Sequence, residues 1–93
     1  MSPEELRAEI DALRVEIDRI DDEIAPLLER RMGLTAQVAA VKRKTCAPIH
    51  RPAREQAILS RLGTSIAPEY LPALETIYEA VFRASREIQE GLS

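Results

Sequence analysis

The chain is poor in the residues that build a β-rich or cysteine-stapled fold. It has no tryptophan, two tyrosines, one phenylalanine and three glycines. Aromatic content of 3% against an apolar content of 45% leaves aliphatic side chains to make the core, which favours helix packing over a sandwich or barrel. Cys46 is the only cysteine, which excludes an internal disulfide framework and a cysteine-based zinc set. His50 is the only histidine, and in a proline-bearing loop it reads as a solvated residue rather than a catalytic base. Net charge is −3 with mixed signs, there is no basic run, and there are few aromatics to stack on bases, so nucleic acid is an unsuitable partner. No apolar run approaches a signal-peptide or membrane-spanning length, and the N-terminus is acidic. The expectation is a cytoplasmic protein with no membrane partner.

What is present is a long apolar stripe. Leu6, Ile10, Leu13, Ile17, Ile20, Ile24 and Leu27 are spaced by alternating fours and threes, and the stripe resumes at Leu34, Val38 and Val41. That is a heptad pattern sustained beyond the length of an ordinary globular helix. Ser2, Pro3 and Glu5 make a strong start signal: an N-cap, a proline at the first helical position and the acid of a capping box. Lys42, Arg43 and Lys44 are cations suited to the other end. Pro26 interrupts the pattern, removes one backbone bond and predicts a bend, but the register runs through it unbroken, so one bent helix is expected.

Two shorter helices are expected after it. Pro52 to about Leu62 reads as the second, with Arg54 and Ile58 on one face and Gly63 as its C-cap. The third has an uncertain start among Thr64 to Pro72, then carries Leu71, Leu74, Tyr78, Val81, Ser85, Ile88 and Leu92 in steps of three and four. Ninety-three residues allow one domain, 1–93. A helix of some forty residues is about 60 Å long. The other fifty residues cannot cover its stripe, and a second copy of the chain is the simplest cover.

The stripe has one anomaly. Arg31 occupies the position between Leu27 and Leu34, where it should lie between helices. A buried guanidinium needs an anion, supplied either by a carboxylate of a neighbouring helix or by a ligand. Arg31 and Lys42 are eleven residues apart, about three turns, and share a face at about 16 Å. Ser85 and Gln89, four apart on the third helix, offer neutral donors, and Arg54 and Glu55 offer a cation and a carboxylate at the start of the second. This set holds no nucleophile–base pair, no metal ligands and no phosphate loop. It suits an anionic ligand and chemistry done by positioning and electrostatics.

These residues carry a resemblance. Arg31-Met32-Gly33-Leu34 through Val38-Ala39 to Lys42, then Pro52-Ala53-Arg54-Glu55, then Ser85 and Gln89, resemble the all-helical (AroQ-type) chorismate mutase family over nearly the whole chain. The resemblance implies an all-α, intertwined homodimer of three-helix chains that rearranges chorismate to prephenate without a cofactor, in phenylalanine and tyrosine biosynthesis. It implies that Arg31 binds a substrate carboxylate, and that Lys42 and Gln89 donate to the ether oxygen of the breaking bond from opposite sides. Ser85 would contact the ring carboxylate, Glu55 would accept from the ring hydroxyl, and Arg54 would support Glu55. Arg14 would be donated to the site of the other subunit. Its distance of seventeen residues from Arg31, about 25 Å of helix, is too great for one small pocket within a chain. The sequence departs from the family at Arg51, where an acid often precedes the proline of the second helix. Two other readings use the same residues: an isochorismate–pyruvate lyase, and a non-catalytic helical dimerisation module in which Arg31 only sets register.

Overall fold

The computed structural model describes residues 1–46, 48 and 51–91; His50 and Leu92, read above as a loop residue and a stripe residue, lie outside them. Three α-helices follow in order, α1 (Pro3–Thr45), α2 (Pro52–Gly63) and α3 (Leu71–Gln89), with a single 3-10 turn (Pro68–Tyr70) leading into α3. There is no strand among the described residues. The chain divides into two compact units, Met1–Arg31 and Met32–Ser93.

The first unit is the N-terminal part of α1. Its start follows the expected chemistry: Ser2 Oγ accepts the backbone N–H of Glu5 at 3.1 Å, satisfying one of the amides a helix start leaves open. The Ser2 hydroxyl also donates to Glu5 Oε1 at 3.1 Å. Pro26 lies inside α1, and the helix continues through it. Every apolar residue of the stripe from Leu6 to Leu27 is exposed.

The second unit begins with the remainder of α1 and carries the buried residues. Thr35 and Ala39, one turn apart on α1, are buried, as are Ile58 on α2 and Phe82 on α3. Small side chains at 35 and 39 allow close approach to this face of the helix. Leu34, Val38 and Val41, the stripe positions beside that face, remain exposed. The α1 end is closed by Thr45, whose hydroxyl donates to the Lys42 carbonyl at 3.2 Å. Cys46 follows in the left-handed conformation at φ 58, a position more often given to glycine.

The start of α2 matches the expected residue, and the physics of its cap explains Arg51. Arg51 takes the N-cap with no side-chain hydrogen bond. Its carbonyl accepts the N–H groups of Arg54 at 3.0 Å and Glu55 at 3.2 Å. The other end corrects an expectation. Gly63 is the last helical residue and has no positive φ, so it is not a left-handed cap. Thr64 closes the helix instead, its hydroxyl donating to the Arg61 carbonyl at 2.7 Å. Glycine at 63 serves a close approach: a Cβ there would lie 3.0 Å from Leu71 Cδ2 at the start of α3. α2 and α3 pack against each other, and on α3 the Tyr78 and Phe82 rings meet edge to face with centroids 5.6 Å apart.

Candidate active site

Four of the expected site residues lie on α2 and α3 of the second unit. Glu55, in the first turn of α2, is half-buried, while the neighbouring Arg54 is exposed. Glu55 is held by a residue that sequence reasoning did not single out. Arg86 Nη1 donates to Glu55 Oε2 at 2.6 Å, a bond between residues 31 apart in the chain. That length is at the short end for a charge-assisted pair. Arg86 follows Ser85 directly and precedes Gln89 by three, so the α3 turn bearing the expected donors also reaches α2. The only signal in the sequence was that i, i+3 relation to Gln89.

Ser85 is half-buried, and its hydroxyl donates to the Val81 carbonyl at 2.9 Å. Rotation about the C–O bond would re-aim the proton. Gln89 is half-buried, and its Oε1 is enclosed with no hydrogen-bond partner among the described residues. An orphaned buried acceptor costs about 1–3 kcal/mol. The other end of the amide, the NH2, is a donor only.

The cations on α1 divide between the two units. Lys42 is half-buried and lines a shallow depression with Leu34, Gln37, Val38 and Val41. In the first unit, Arg31 is half-buried and engaged in an interaction. Arg14 is exposed, 3.8 Å from Asp11 on its own helix. Exposed pairs of this kind are worth little, so Asp11 hardly restrains Arg14 from other partners.

No cluster of histidine, cysteine and acids able to hold a metal occurs among the described residues. No helix among them is long and apolar enough to cross a membrane. The fold and side chains therefore define an all-helical, three-helix chain bearing donors and cations suited to an anionic ligand.

Comparison with known proteins places that class in a family. The family described as chorismate mutase type II matches residues 13–90, and the chain belongs to it. A bifunctional chorismate mutase/prephenate dehydratase of Aquifex aeolicus is 37% identical over 89 residues, covering 90% of this chain and 25% of that protein. A T-protein of Enterobacter agglomerans is 42% identical over 53 residues, covering 57% of this chain and 14% of that protein. The chain thus spans a quarter or less of the length of these two relatives. Among solved structures, the chorismate mutase from Helicobacter pylori in complex with prephenate superposes with a TM-score of 0.80 at 35% identity, covering 91% of this chain and 93% of that one.

Proposed function

We infer that this chain is a chorismate mutase, an isomerase that converts chorismate to prephenate by a Claisen rearrangement, as a single domain over 1–93. The observation that carries this reading is the likeness, over nearly all of both chains, to a chorismate mutase in complex with prephenate. The reaction needs no proton transfer and no covalent intermediate. It needs the extended dianion held in a compact chair and a response to negative charge growing on the ether oxygen. Arg31, and Arg14 of a second copy, grip the carboxylates and reduce the entropy lost on the way to the transition state. Lys42 and Gln89 donate to the ether oxygen, where a preorganised donor in a water-poor site is worth most. Ser85 contacts the ring carboxylate and Glu55 accepts from the ring hydroxyl, with Arg54 as a nearby cation.

The working form is an intertwined homodimer. Its support is the exposed stripe: from Leu6 to Val41, every apolar residue of the stripe is exposed in a single chain. An uncovered apolar surface of that extent is unusual for a monomer and normal for a partner face. A second, antiparallel copy would cover it and deliver Arg14 to the partner's site. The relative that joins chorismate mutase to prephenate dehydratase supports a role in aromatic amino acid biosynthesis.

Loss of chorismate absorbance on adding purified protein tests the reading. Turnover well above the uncatalysed rate, with prephenate as product, is the expected result. No acceleration by folded protein would overturn it, and turnover of isochorismate alone would point to the lyase.

A further inference from the structure

The carboxylate of Glu55 is not aimed by its own helix alone. Arg86, on the facing helix α3, holds its Oε2 at 2.6 Å, with the Arg86 and Glu55 side chains 31% and 23% exposed. Partial burial on both sides limits water competition for this bond. The planar guanidinium is a rigid donor array that orients a carboxylate, which a lysine ammonium does less well. A carboxylate has about four acceptor positions, so the bond from Arg86 does not by itself exhaust the group. Arg86 also sits between Ser85 and Gln89 in sequence, on the turn that carries the other α3 contacts. The bond therefore ties the ring-hydroxyl side of the site, on α2, to the donor side, on α3.

We propose that Arg86 is a positioning residue for the substrate's ring hydroxyl, acting through Glu55. It rests on the reading of this site as a chorismate pocket in which Glu55 accepts that hydroxyl. Arg86 does not touch reacting atoms. It fixes the direction in which Glu55 presents its remaining lone pairs. A bond to a hydroxyl that is present in both ground and transition states acts mainly on KM. A simple α2–α3 staple would instead act on stability and leave the kinetics of folded protein unchanged.

The experiment compares wild type, Arg86→Met, Arg86→Lys, Glu55→Gln and the Arg86→Met/Glu55→Gln double variant. Each is assayed on chorismate and on an analogue with hydrogen in place of the ring hydroxyl, with rates referred to the folded fraction. For Arg86→Met, the expected result is a KM for chorismate raised about tenfold, the effect of one misdirected hydrogen bond, with kcat little changed. The same substitution should leave the analogue's KM unchanged and add nothing in the Glu55→Gln background, because the two residues act as one unit. Arg86→Lys should recover part of the loss. If Arg86→Met fails to fold, Arg86→Lys carries the same comparison with a smaller expected rise. An equal loss on both substrates, additivity with Glu55→Gln, or unchanged kinetics beside a lowered Tm each overturns the proposal while leaving the mutase reading intact. Wild type inactive on chorismate overturns both.

Discussion

Leu34 and Thr35 are consecutive residues of α1 with opposite environments: Thr35 is 9% exposed and Leu34 53%. Consecutive helical residues point about 100° apart, so one helix presents two working faces here. The face of Thr35 and Ala39 is buried within the second unit, and the stripe face is left over. If a second copy covers that face, sedimentation or scattering at micromolar concentration should give twice the chain mass. Ile17→Lys places a charge in the middle of the stripe and should abolish the dimer, with loss of cooperative unfolding. A folded wild-type monomer, or a variant with an unaltered mass and Tm, would remove the dimer.

Lys42 separates catalysis from helix capping. Lys42→Ala should lower kcat by about a hundredfold or more, the usual effect of losing one donor to a developing oxyanion, while circular dichroism stays unchanged. A loss of only severalfold in folded protein would reduce Lys42 to a cation at the end of α1.

Gln89 should trade stability for function. Gln89→Met keeps the size, removes the orphaned oxygen and should hold or raise Tm while activity falls sharply. Gln89→Glu should donate only when its carboxyl is protonated, so its activity should rise as pH falls through the carboxyl's pKa, while wild type shows no such limb. Full activity of that variant at pH 8 would mean that position 89 is not the donor.

Arg14 and Arg31 test the shared site. Arg14→Ala and Arg31→Ala dimers should each be nearly inactive. Refolded together, they form mixed dimers with one doubly damaged site and one intact site. With random pairing, activity should approach about one quarter of wild type, a consequence of two-fold symmetry. Mixed dimers seen by mass without recovered activity, beside a refolded wild-type control, would assign both arginines to one chain's site or Arg14 to none.

Arg51 leaves the start of α2 without a side-chain cap. Arg51→Asp should add one and raise stability by about 1 kcal/mol, read as a Tm increase of about 4–8 °C. An unchanged or lowered Tm would show that the backbone at this helix start is already satisfied.

The sequence by itself determined what depends on residues within a turn of one another. The Ser2 cap on Glu5, the proline start of α2, the 43-residue run of α1 through Pro26, and the period of its stripe are all local, and all were legible; the start of α3, among two prolines and a 3-10 turn, was not. Joint spacing also carried the family, because polar residues at fixed separations on three helices survive without knowledge of how the helices dock. The tertiary structure decided the rest. The docking of α2 on α3 makes Gly63 a site of close approach rather than a cap, because Leu71 arrives 3.0 Å from where its Cβ would be. It also buries Phe82 and Ile58 while leaving the α1 stripe open, which no periodicity distinguishes from burial. Above all it brings Arg86 to Glu55 across 31 residues, since a contact between helices is set by their relative placement and not by the spacing within either one.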